Sequence, residues 1–222
     1  MVFIIITVLS VLGLVFWLTN ARFAAKPPTP GKKADYFSWL WAGIRGLFKK
    51  ETLKKGQKIL DSWVNSYYPG WTKWIFWAFA ASFVYQAASG LLFAVFSPRG
   101  MFGILLLLHV SVGGLFAVSL AMTLILRARA YRLDQEEEAA TKSFARPPLK
   151  NISKSLLRKI LFWLFAAAGL CLIATALGSM VPVFSFNTQQ AMINVHRYSA
   201  LIALLTASIF LDIAYLPQPQ AK

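Results

Sequence analysis

Apolar positions fall in five long runs, about 2–19, 74–96, 101–126, 160–182 and 191–215, separated by polar and charged stretches. A helix that crosses the hydrocarbon layer needs ~20 mostly apolar residues, and each run qualifies. The pattern predicts an all-α membrane protein with five transmembrane helices. It divides the chain into an N-terminal anchor (1–20), a basic cytoplasmic or interfacial segment (21–73), a first transmembrane hairpin (74–126), a cytoplasmic linker (127–159), a second hairpin (160–216) and a cytoplasmic tail (217–222). The first run has the look of a signal peptide. It lacks a basic stretch ahead of its apolar core and is followed at once by Lys and Arg, which is the pattern of an uncleaved anchor with its amino end outside.

Charge gives the orientation. Of the 23 Lys and Arg residues, 11 lie in 22–73 and 9 in 127–159, which places 20 of them on one side of the five spans. By the positive-inside rule both long loops are cytoplasmic and both short turns face outward. A net charge of +15 on a soluble chain would suggest nucleic acid, but here the basic residues flank apolar segments. The 58% hydrophobic content and a mean hydropathy of +0.58 exclude an ordinary soluble domain. With Cys171 as the single cysteine, the chain builds neither a disulfide nor a thiolate metal site by itself.

Within the first basic stretch, Pro27, Pro28 and Pro30 break any helix. Beyond them, 36–48 and 51–68 carry Trp, Leu and Ile with Lys at roughly helical spacing, as expected of segments lying in the membrane interface. Docking of a soluble partner is the alternative use of this surface. The loop 127–159 reads as a solvated linker.

The two hairpins repeat. Phe76-Trp77-Ala78-Phe79-Ala80-Ala81 matches Phe162-Trp163-Leu164-Phe165-Ala166-Ala167, and the only two histidines follow at matching distances, His109 32 residues after Trp77 and His196 33 after Trp163. Each unit is an upward helix, a short outer turn and a downward helix with a histidine near its start. Both imidazoles are then roughly 12 Å below the outer helix ends, at one level. An ionisable side chain in a bilayer is costly and needs a partner or a task.

Two imidazoles at one level suit the axial positions of a haem iron in a bundle core. Zinc would want further ligands, and no Cys, Asp or Glu lies at that depth. Hydrogen bonding between helices and proton relay are the other readings. Gly113 and Gly114 after His109 leave room for a flat macrocycle or for close helix packing, as do Gly90 and Gly178. Arg197 is placed either to pair with a haem propionate or to snorkel to the outer surface. Asp212 is the only acid inside a span. It lies ~24 Å below His196, as an interfacial acid or as a proton carrier to a quinone.

Ser89-Gly90-Leu91-Leu92, Leu107-Leu108-His109 with Gly113-Gly114, and Val195-His196-Arg197-Tyr198-Ser199 carry a resemblance over about 74–215. There the chain resembles the four-helix cytochrome b membrane subunits of respiratory oxidoreductase complexes. These include the gamma subunits of formate dehydrogenase, nitrate reductase and nickel–iron hydrogenase, and the cytochrome b subunits of complexes with periplasmic multihaem cytochromes. The resemblance implies a four-helix haem-binding bundle to which the N-terminal anchor is additional. It also implies haem b, exchange with membrane quinone, and a redox partner, an extracytoplasmic cytochrome or iron–sulfur protein. The setting would be a larger complex in a bacterial cytoplasmic membrane. Many such subunits use four histidines for two haems; with two histidines this chain is expected to hold one, near the outer face, through His109 and His196, with Arg197, Gly113 and Gly114 around it. Nothing resembles a nucleophile, hydrolase or phosphate-binding motif, so an electron-transfer subunit is expected rather than independent substrate chemistry. A haem-free scaffold subunit is the first rival. A small transporter is the second, disfavoured because the spans offer few polar residues to line a path.

Overall fold

The computed structural model describes residues 2–22, 50–97, 101–142 and 153–215, all helix and connecting turns with no strand among them. The helices are α1 (Val2–Arg22), α2 (Lys50–Tyr67), α3 (Thr72–Phe96), α4 (Gly103–Arg127), α5 (Gln135–Lys142), α6 (Lys154–Met180) and α7 (Phe186–Tyr215). Four of them, α3, α4, α6 and α7, are long and apolar enough to cross a membrane, as the two-hairpin reading requires. In α1 the apolar stretch Phe3–Leu14 is shorter than a span, so its crossing of the bilayer belongs to the proposal below. The expected interfacial segment at 36–48, with Trp39 and Trp41, lies outside the described residues.

The chain forms two compact units, Met1–Gly70 with Tyr215–Lys222, and Trp71–Ala214. In the first unit, α2 sets Trp63 against Tyr67 and Tyr68, with ring centroids 5.1 and 5.8 Å apart. Such amphipathic rings favour a water–lipid boundary. Gly70 then takes φ 64°, a left-handed conformation that only a residue without Cβ adopts freely.

The second unit is the bundle. Its helices carry bulky side chains outward: Ile104, Leu107, Val118, Ile125 and Leu177 are all more than 60% exposed. Toward lipid this costs nothing, because acyl chains are as apolar as leucine. Small and hydroxyl side chains turn inward instead, among them Ser82, Ser119, Ala166, Ala168, Ser199, Ala203 and Thr206, and they let backbones approach. Ser119 and Thr206 hold their hydroxyls in bonds to the carbonyls of Leu115 and Ile202 one turn back, so neither is left unsatisfied in the low-dielectric interior. Helix α3 packs along α4, and α4 packs on α6.

The end bearing the basic loops is filled by aromatic rings. Phe79 and Phe165, equivalent residues of the repeated motif, meet edge to face at 5.6 Å and 81°, and Phe83 and Phe116 complete the layer with centroids 5.2–6.4 Å apart. The linker also has structure of its own. Tyr131 stacks on Phe162 at 4.2 Å, and its carbonyl accepts a bond from Trp163 Nε1 at 2.9 Å. Asp134 and Glu137 cap α5 reciprocally, each carboxylate accepting the other's backbone N–H, and Lys159 reaches back to Glu137. The described part of this loop is thus tied to the start of α6. At the opposite end, Ser185 caps α7 by accepting the N–H of Thr188 at 3.3 Å.

Candidate haem site

Both histidines lie in the half of the bundle away from the basic loops, His109 on α4 and His196 on α7, and both are half-buried. Each is fastened to the upward helix of its own hairpin through the same ring nitrogen. His109 Nδ1 lies 2.8 Å from Ser89 Oγ on α3; His196 Nδ1 lies 3.0 Å from the Leu172 carbonyl and 3.2 Å from Thr175 Oγ1 on α6.

The proton positions follow from the partners. The Ser89 hydroxyl lies 2.7 Å from the Tyr85 carbonyl, which can take its proton and leave its oxygen to accept from His109. Thr175 likewise donates to the Cys171 carbonyl at 2.6 Å, and the Leu172 carbonyl can only accept. His196 therefore carries hydrogen on Nδ1, and the Ser89 hydroxyl offers His109 an oxygen able to accept the same bond. On neither ring does Nε2 bond to a described residue. Bonds between helices, one of the readings open from sequence, do form, and they consume only one nitrogen of each ring.

Around this pair, Gly90 brings the α3 backbone close to His109, where a Cβ would sit 3.7 Å from Cε1. Gly113 is the cradle for Gln86, whose Nε2 would be 2.6 Å from a Cβ there. Gly114 opens on nothing within 4 Å. Gly178 faces Met192, whose sulfur would be 2.7 Å from a Cβ, so it serves helix contact. Arg197 is half-buried, and its guanidinium makes no hydrogen bond or ion pair with a described residue. Ser199 donates to Cys171 Sγ at 3.2 Å, which accounts for the lone cysteine as a packing residue. Asp212 is buried toward the other end of α7, away from the histidines along the helix.

Sequence reasoning missed Ser89 and Thr175 as the partners of the histidines; Gln86, one of the few polar residues of the spans, buries its Oε1 with no hydrogen-bond partner among the described residues. A signal for the first two was present, since each hydroxyl lies 12 residues after the repeated tryptophan, Ser89 after Trp77 and Thr175 after Trp163.

The donor set fits a haem. Neutral imidazole with Nδ1–H given to an oxygen and Nε2 free is the form that ligates a metal, and the outer bond fixes both tautomer and ring orientation. Among the described residues no three His, Cys, Asp or Glu cluster as metal ligands. Gln86 Oε1, like the hydroxyls of Thr7 and Thr123, is buried without a hydrogen-bond partner among the described residues.

No curated protein and no solved structure matches the chain significantly. The family described as prokaryotic cytochrome b561 matches residues 67–216, about two thirds of the chain and the whole of the bundle. The chain therefore belongs to the prokaryotic cytochrome b561 family of integral membrane electron-transfer proteins, whose cofactor is haem b.

Proposed function

We propose that the chain is a mono-haem cytochrome b subunit of a membrane oxidoreductase complex, with His109 and His196 as the axial ligands of one haem b near the outer face. It exchanges electrons between membrane quinone, bound beside the site, and an extracytoplasmic cytochrome or iron–sulfur partner. The N-terminal helix α1 is a fifth span with its amino end outside, and both basic loops and the carboxyl end are cytoplasmic, as the distribution of Lys and Arg favours.

The observation that carries this reading is the pair of imidazoles, each held by Nδ1 to its own hairpin and each with Nε2 unbonded. Haem b, when bound, supplies reversible one-electron transfer. The chain's part is to present two neutral imidazoles in fixed tautomers, to keep water from them with apolar helices, and to supply charge at the rim. Gly114 leaves the α4 surface open below His109, while Gly113 receives Gln86. The Phe79, Phe83, Phe116 and Phe165 layer supports a single haem, because packed rings occupy the bundle toward the basic end and no histidine lies there.

Arg197 follows from the same geometry. A guanidinium is charged at any physiological pH, and one that is half-buried without a carboxylate is suited to a propionate. Arg197→Gln is expected to weaken haem binding about tenfold, the value of one charge-assisted bond, and to lower the midpoint potential by removing a positive charge near the iron. Haem titration and potentiometry of the purified variant check both; unchanged values would return Arg197 to a snorkelling role.

Haem quantitation on the purified full-length chain tests the function itself. One haem b per polypeptide with a low-spin, six-coordinate spectrum is the expected result. Protein that folds and stays haem-free would make it a scaffold, and two haems per chain would contradict the ligand count.

A further inference from the structure

We propose that Ser89 and Thr175 are an unequal pair of positioning residues, each accepting Nδ1–H from the axial histidine of its own hairpin, with Ser89 the sole anchor of His109. The proposal rests on the haem reading above and deepens it.

Three observations carry it. The two contacts use the same nitrogen, the same kind of acceptor and equivalent positions of the repeat, 12 residues beyond Trp77 and Trp163. Each hydroxyl is itself oriented by a bond to the carbonyl four residues back, Ser89 to Tyr85 at 2.7 Å and Thr175 to Cys171 at 2.6 Å, which turns its lone pairs toward the ring. The surroundings then differ. His196 has a second acceptor, the Leu172 carbonyl, at 3.0 Å, closer than the 3.2 Å to Thr175; among the described residues His109 has Ser89 alone.

Two consequences follow. An N–H drawn toward an acceptor makes the opposite nitrogen more basic, which favours the ferric state and lowers the potential. It also fixes the ring about its Cβ–Cγ bond, and so fixes the angle between the two imidazole planes. With Ser89 removed, His109 keeps neither its proton acceptor nor its rotational stop. With Thr175 removed, His196 keeps Leu172, and because a backbone carbonyl cannot be deleted by mutation, this histidine is the more robustly held of the two.

The test uses the full-length haem-loaded protein and the variants Ser89→Ala, Ser89→Thr, Thr175→Ala and Thr175→Ser. Readouts are haem affinity, midpoint potential, and the electron paramagnetic resonance g-values of the ferric state, which report the angle between the axial ring planes. Ser89→Ala is expected to lower haem affinity about ten- to a hundredfold, to raise the midpoint potential and to shift the largest g-value. Ser89→Thr, which keeps the hydroxyl, should restore all three. Thr175→Ala should move each in the same direction but by less than tenfold in affinity, and Thr175→Ser should match the wild type. Wild-type potential and g-values in Ser89→Ala, or an effect of Thr175→Ala equal to or larger than that of Ser89→Ala, would overturn the proposal while leaving the haem assignment standing. Retention of the wild-type g-values when His109 or His196 is replaced would instead remove the haem assignment, and this proposal with it.

Discussion

Alanine at either His109 or His196 is expected to take the haem content of the purified protein from about one per chain to near zero, with loss of the low-spin reduced-minus-oxidised signal. The size of the effect comes from the arrangement of the site. Each ring is held by a separate hairpin, His109 through Ser89 on α3 and His196 through Leu172 and Thr175 on α6, so neither ligand can take over the role of the other. No third histidine exists in the chain to substitute. The fold should survive, because α4 also packs on α3 and α6, and α7 also buries Ser199, Leu201, Ala203 and Thr206. Free imidazole added to the alanine variants should restore part of the low-spin spectrum by entering the vacated volume. The measurement is a pyridine haemochrome assay beside a difference spectrum. A variant that keeps full haem with an unaltered spectrum would remove that histidine from the ligand set. A rival transporter would show no haem in any variant, wild type included.

What was legible in the sequence divides along a physical line. The four spans of the bundle can be read because each is long enough in apolar residues to cross the bilayer. The two histidines stand out because charge-capable residues are rare in such runs and these two keep step with a repeated motif. Which face of each helix turns inward could not be read. In a soluble helix the apolar stripe marks the core, but in lipid both faces are apolar and the core is chosen by small residues and close fit. That is why Gly114 and Gly113, adjacent and alike in sequence, differ in the structure, one opening on nothing within 4 Å and the other cradling Gln86. The same ambiguity hid Ser89 and Thr175. Hydroxyl residues are common in membrane helices as bonds to their own backbone, and only helix rotation places these two against the imidazoles. The linker is a different case: its short capping motif at Asp134–Glu137 was present in the sequence, but its tie to Lys159 and Trp163 depends on a contact across more than twenty residues.

Gly169 is where that inward fit is tight against a buried apolar side chain, and substitution there is expected to have the second large effect. A Cβ at this position on α6 would lie 2.6 Å from Leu120 Cδ2 and 3.7 Å from Phe116 Cζ, both on α4. Leu120 is 2% exposed and Phe116 4%, so Leu120 can yield only by pushing on its own packed neighbours. Gly169→Ala should therefore cost about 1–3 kcal/mol despite the general gain from replacing a helical glycine, and Gly169→Leu should separate α4 from α6. Because α4 carries His109 seven residues before Phe116, that separation should also release the haem. Gly13→Ala, where a Cβ meets nothing within 4 Å, is the control and should be neutral or mildly stabilising. Apparent melting temperature in detergent, with haem retention followed in the same sample, measures each variant. The decisive comparison adds Leu120→Ala to Gly169→Ala. If the clash is the cause, the shorter side chain relieves it and the double variant is more stable than the two separate losses predict, since residues sharing one contact do not add. Strict additivity, or a Gly169→Ala protein as stable as wild type, would mean that α4 and α6 are not in close contact at this glycine.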